Sequence, residues 1–213
     1  PAGNGQAAQA APPIPSNTTP IAIQLSVLIT SDPHETLENF LARQANSANA
    51  ITDKRNAEVA SNIYYNTKTH QFGVVWGTSD LPQLSIPPDD TPKGFTKTAY
   101  SAHTHGPDFV WDDRLARRTL KFLNSIRHAL KNGDQEYENL KANYYQSFVE
   151  AKSKYDGATK IKKPYIVRAD RNKLSVQDNR SGTNSDDYLI GYDNNIYKES
   201  GDQKQITVFQ SQK

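Results

Sequence analysis

Three observations predict an α/β fold with a mixed central sheet flanked by helices. Runs rich in β-branched and aromatic residues recur at Ile21 to Ile29, Glu58 to Tyr65, Gln71 to Gly77 and Thr96 to His105. Two stretches, opening at Asp32 and Arg114, carry apolar residues at helical spacing. The strand from Thr96 ends in a pair of histidines, at the C-terminal end where sites in α/β sheets commonly collect.

Residues 1–20, dominated by Ala, Gln, Pro, Asn and Thr, read as a flexible Pro/Ala-rich linker, because they bury almost nothing and their Pro-Pro and Thr-Pro steps favour extended chain. A single domain is expected over 21–213. Ile21 to Ile29 alternates apolar and polar residues, as a strand does. Asp32-Pro33-His34-Glu35 reads as N-cap, Pro at N1 and an acid at N3, opening a helix with Leu37, Phe40, Leu41 and Ala45 on one stripe. Glu58 to Tyr65 and Gln71 to Gly77, separated by Asn66 to His70, suggest a hairpin. Pro82 to Pro92, with four prolines, reads as a surface loop, and Thr96 to His105 as the next strand.

From Arg114 to Lys131, residues Leu115, Thr119, Phe122, Ile126 and Leu130 make one helical stripe, and the other face carries six Lys/Arg and no acid. Asn132-Gly133 stops this helix, and Asp134 opens a second whose Tyr137, Leu140, Tyr144, Phe148, Ala151 and Tyr155 repeat at heptad-like spacing. The two form an αα-hairpin inserted at 114–157. Tyr165 to Val167, Lys173 to Val176, Tyr188 to Tyr192 and Gln205 to Phe209 complete the strand candidates.

The totals bound the function. A chain of 213 residues is long enough to bury a real core, and the 11 Tyr and 7 Phe argue against general disorder despite a mean hydropathy of −0.78. A net charge of +2 is too mild to imply nucleic acid. The absence of Cys excludes disulfides, thiolate catalysis and Cys-ligated zinc, leaving His, Asp and Glu as ligands. The longest apolar run, Ile21 to Ile29, falls well short of the roughly 20 residues of a bilayer helix, so no membrane partner is expected. Pro1-Ala-Gly-Asn-Gly lacks the features of a secretory signal, and a start at Pro1 with no methionine anywhere suggests a piece released from a longer polypeptide.

The chemistry concentrates in Ser101-Ala-His103-Thr-His105-Gly106 and the following Phe109-Val110-Trp111-Asp112-Asp113. Side chains at i and i+2 of a strand share a face, so His103 and His105 can hold one divalent ion, with Asp112 or Asp113 returning from the turn at Gly106-Pro107. Two imidazoles, one carboxylate and an open position match catalytic rather than structural zinc. Glu58, an unexpected acid at the head of an apolar and aromatic strand, is the candidate general base. Two histidines on a strand more often only hydrogen-bond, and a lone acid at a strand start is usually just exposed. It is their combination that points to a hydrolase. His70, in the predicted turn, is a candidate fourth ligand.

Glu58, then His103-x-His105, then an aspartate after a short turn resembles the JAMM/JAB-type metalloprotease pattern. More closely, Asp32-Pro-His-Glu-Thr-Leu, Asn56-Ala-Glu58-Val-Ala-Ser-Asn-Ile-Tyr-Tyr-Asn66 and Ser101-Ala-His-Thr-His-Gly106 resemble the JAB-like domain at C-termini of Rhs-repeat and insecticidal toxin-complex proteins. The similarity covers about residues 30 to 115, with an echo in Pro164 to Asp170. It implies a cytidine-deaminase-like JAB/MPN-type sheet and a Zn2+ ion held by His103, His105 and Asp113. Glu58 would be the acid/base in hydrolysis of a peptide or isopeptide bond. It also implies a toxin effector released from an encapsulating Rhs/toxin-complex shell, secreted and delivered into the target-cell cytoplasm. A target-cell protein would be its substrate and a cognate immunity protein a partner.

Two positions depart from that family. Val110 stands where it has a serine that helps stabilise the oxyanion, so that role falls to Ser101 or Thr104 or is lost. Ala60-Ser61 replaces its usual glycine pair. Two alternatives follow: a catalytically impaired binding module of the same fold, and a metal-dependent nuclease. The second ranks lower because no basic groove with interleaved aromatics surrounds the site.

Overall fold

A computed structural model describes residues 22–83, 85–130, 164–175, 187–200 and 204–212. Its order is β1 (Ile23–Gln24), β2 (Ile29–Thr30), α1 (Leu37–Arg55), β3 (Ala60–Asn66), β4 (Gln71–Val74), β5 (Gly77–Thr78), β6 (Thr96–Thr104), β7 (Phe109–Trp111), α2 (Asp113–Leu130), β8 (Tyr165–Val167), β9 (Asp187–Ile190), β10 (Ile196–Glu199) and β11 (Gln205–Phe209). Among the described residues, nine strands make one mixed sheet along the path β1-β5-β3-β6-β9-β10-β11, with β4 joining β2 to β3, while β7 and β8 form a separate two-stranded ribbon. Among the described strands, β6 and β9 are the parallel pair, with Ser101 beside Asp187 and His103 beside Leu189. The architecture is therefore α/β with a mixed central sheet. The second helix expected from Asp134, and the linker expected over 1–20, lie outside the described residues.

Helix α1 covers one face of the sheet because its apolar residues share a stripe. Leu37, Phe40, Leu41, Ala45 and Ala48 are buried against Ile63, Val74, Trp76, Ala102, Ile190 and Ile196. Its start differs from the sequence expectation. Thr36, not Asp32, is the N-cap, accepting from the Asn39 amide at 3.2 Å, because His34 takes a left-handed conformation (φ 64°) that a helix cannot continue through. Glu35 instead closes the preceding turn by accepting from the Asp32 amide, and pairs with Arg43 through two bonds of 2.7 and 2.8 Å. The helix ends on Asn56, also left-handed.

The Arg43 guanidinium hydrogen bond holds the Glu35 carboxyl below its ordinary 4.5. A lowered folded-state value contributes stability above that range, which is lost as pH falls through the folded value. In paired melts, Arg43→Gln should therefore unfold at lower temperature than the parent near neutral pH, and the gap should close as pH falls from 4.5 through the lowered folded-state value. An equal gap at acid and neutral pH would mean that packing, not the ion pair, is responsible.

The β3–β4 hairpin forms as expected, from Ile63↔Val74 to Asn66↔Gln71, its turn fastened by Asn66 Oδ1 accepting the amides of Lys68 and Thr69. The single strand predicted over Ile21 to Ile29 is two short ones: the amides of Leu25 and Ser26 both bond the Trp76 carbonyl, and this kink carries the chain from β5 across to β4. The described residues of Pro82 to Pro92 form no helix or strand, but the segment is no free surface loop, since Pro82 and Ile86 are buried and the Pro88 carbonyl accepts from Asn62. The strand predicted over Lys173 to Val176 is absent among the described residues, where 171–173 form a turn. Helix α2 forms where expected, and Asp112 caps it by accepting the Leu115 amide at 2.8 Å. No described helix is long and apolar enough to cross a membrane.

Candidate metal centre

His103 lies at the C-terminal end of β6 and His105 one residue past it, and β6 runs between antiparallel β3 and parallel β9. Strand alternation sends Ala102 and Thr104 to the face that packs under α1, and both are fully buried. Thr104 Oγ1 lies 2.5 Å from Thr52 Oγ1 of α1 and accepts the Val59 amide, so Thr104 is excluded as an oxyanion donor. His103 and His105 project to the opposite face, with His103 only 7% exposed.

The two imidazoles meet at their Nε2 atoms, 3.1 Å apart, with ring centroids 5.0 Å apart. Behind each ring stands an acceptor. His103 Nδ1 is 3.1 Å from Asp187 Oδ1, and His105 Nδ1 is 2.9 Å from the Asp170 carbonyl. A carbonyl and a carboxylate can only accept, so each Nδ1 carries the hydrogen and, in the neutral rings, both Nε2 atoms direct lone pairs at the same point. Two lone pairs at this distance repel unless a proton or a metal cation lies between them. The spacing is close to the roughly 3.3 Å that separates two nitrogens on a tetrahedral zinc with bonds of about 2.0–2.1 Å. The donor set therefore fits zinc from these two residues.

Of the other predicted site residues, Glu58 leads into β3. Ala60 pairs with His103, and the ladder continues through the Thr104 amide bonding the Val59 carbonyl. Glu58 comes one residue before Val59, beyond the last bonded pair of this ladder and two residues before β3 begins. Its backbone is pinned by Leu81, whose carbonyl accepts its amide, and by Thr78, whose hydroxyl donates to its carbonyl. Asp113 stands at the first position of α2, after Asp112 has taken the cap. Among the described residues no three His, Cys, Asp or Glu side chains form a group that could hold a metal ion. Ser101 shares the face of His103, and its hydroxyl donates to Asp187 Oδ1 at 3.0 Å. His70 is stacked on His34 at the far end of the β3–β4 hairpin, which excludes it as a fourth ligand. Val110 sits on β7, half exposed, opposite Ile166.

Three contributors escaped the sequence reading: Asp187, the Asp170 carbonyl and Arg171. The signal for Asp187 was of the same kind as for Glu58, an acid at the head of an apolar strand, here Tyr188-Leu189-Ile190. Arg171 fastens the segment that supplies the Asp170 carbonyl. Its guanidinium donates to the His105 carbonyl (3.0 Å) and to Asp53 at the end of α1 (2.6 Å), and it stacks 3.9 Å from the Tyr192 ring centroid. Asp108 holds the same segment by accepting from the Ala169 amide and Arg168, which keep its carboxyl below the usual range. Arg171→Ala removes three anchors at once and should cost about 2 kcal/mol in chemical denaturation. A loss under about 0.5 kcal/mol would show that the segment is held without it.

The chain matches no family model, no curated protein and no solved structure.

Proposed function

We propose that the chain is a zinc-dependent hydrolase of peptide or isopeptide bonds, with the converged His103 and His105 as metal ligands, Asp113 as the third ligand that the family resemblance implies, and Glu58 as general base. The observation that carries this reading is the convergence of two Nε2 atoms at 3.1 Å, each ring oriented from behind by an acceptor. Zinc bound there would supply Lewis-acid polarisation of the scissile carbonyl and a more acidic water. Glu58, in the segment leading into β3, takes a proton from the attacking water and returns it to the leaving amine. Because Asp112 is engaged by the helix cap, Asp113 is the better carboxylate of the two for the metal. The setting implied by the family resemblance extends this to a secreted effector acting on a target-cell protein.

The test is Glu58→Gln, assayed for bound zinc and for cleavage of a quenched-fluorescent peptide library. The expected result is unchanged zinc stoichiometry with turnover reduced about 10²- to 10⁴-fold. Wild-type turnover in this variant would remove Glu58 from the mechanism. The second reading, a binding module of the same fold, is favoured by Val110, which offers no hydroxyl for an oxyanion. A wild-type protein that binds zinc yet cleaves nothing would establish that reading instead.

A further inference from the structure

We propose that Asp187 is a positioning residue that fixes His103 as its Nδ1–H tautomer and so creates the metal-facing lone pair. The proposal rests on the zinc reading above for its purpose but not for its geometry. Asp187 opens β9 beside Ser101, two residues before Leu189, the partner of His103 on the parallel neighbour of β6. Its Oδ1 takes two donors, the His103 ring at 3.1 Å and the Ser101 hydroxyl at 3.0 Å. Ser101 thus steadies the carboxylate that steadies the imidazole, three residues linked across two adjacent strands.

The arrangement is directional. A neutral imidazole in water divides between two tautomers, and only one leaves Nε2 able to ligate. An acceptor at Nδ1 selects that tautomer, and a charged acceptor also makes Nε2 a stronger donor to a metal. His105 receives the same selection from a main-chain carbonyl, which no side-chain substitution removes. The pair is therefore asymmetric: His103 depends on one replaceable side chain, and His105 on the path of the backbone.

The experiment has two readouts on Asp187→Ala and Asp187→Asn. The first is the tautomer of His103 in metal-free protein, read by long-range ¹H–¹⁵N correlation at about pH 8, above the ordinary imidazole range. The second is zinc affinity by competition with a chromophoric chelator. Wild type should show one Nδ1–H tautomer at His103. Asp187→Ala should show a substantial Nε2–H population and bind zinc about 10- to 100-fold more weakly. Asp187→Asn, which keeps a neutral acceptor, should fall between the two. If the alanine variant does not fold, the asparagine variant decides: weaker zinc binding with some Nε2–H supports the proposal, and wild-type behaviour in both readouts overturns it. A pure Nδ1–H tautomer in a folded alanine variant overturns it too. Wild-type protein that binds no zinc sinks the hydrolase reading, while the tautomer still decides the role of Asp187.

Discussion

His105→Ala should abolish stoichiometric zinc binding, taking the metal content from one ion per chain to none after dialysis against a weak chelator. The loss should go well beyond the roughly 10- to 100-fold that removal of an outer hydrogen-bond partner costs, because the proposed ligand itself is removed from a pair of converging Nε2 atoms. His105 is the more informative member of the pair. Its carbonyl still accepts Arg171 whatever side chain it carries, so the fold around it has little reason to change. His70→Ala is the matched control, since that histidine stacks on His34 at the other end of β3 and should leave zinc content untouched. Metal retained in the His105 variant would mean that the ion sits elsewhere, and the hydrolase mechanism would fall with it.

Phe40→Ala should destabilise the protein by about 3–5 kcal/mol in chemical denaturation, the range for truncating a large buried aromatic. Phe40 is fully buried under α1, in the same cluster as Trp76, Ala102 and Ile190. Ala102 lies between Ser101 and His103, so this cluster also sets the height of the histidine strand beneath α1. Against a typical total of about 5–15 kcal/mol, such a loss is a large share of the stability. Lys54→Ala, on the exposed side of the same helix, should change it by less than about 0.5 kcal/mol. Similar effects at the two positions would show that α1 is not seated on the sheet by this stripe.

The fold was legible where local pattern and tertiary packing agree. The stripe of Leu37, Phe40, Leu41 and Ala45 has one period and one consequence, a buried helix face, and it is buried. The hairpin between Tyr65 and Gln71 follows from turn chemistry that is nearly self-contained, with Asn66 bonding its own loop. Legibility failed where a neighbour distant in sequence decides. Asp32-Pro33 has every feature of a helix start, yet left-handed His34, its amide bonded to the His70 carbonyl, moves the start to Thr36. The strand from Ile21 breaks because a single carbonyl, that of Trp76, bonds two successive amides. Tyr197 marks β10, which had no periodic run of its own and exists because β9 and β11 flank it.

By itself the sequence determined that an α/β domain forms and that His103 and His105 share a face, whereas Glu58, expected to head a strand, stands two residues before β3 begins at Ala60. The first two follow from alternation and spacing along one stretch of chain. Only the tertiary structure decided which way the imidazoles turn. That depends on Asp187 and on the Asp170 carbonyl, brought to β6 from 84 and 65 residues away by parallel pairing and by the Arg171 clasp. A hydrogen-bond acceptor selects a tautomer by proximity in space, and proximity across that length of chain is a property of the packed sheet.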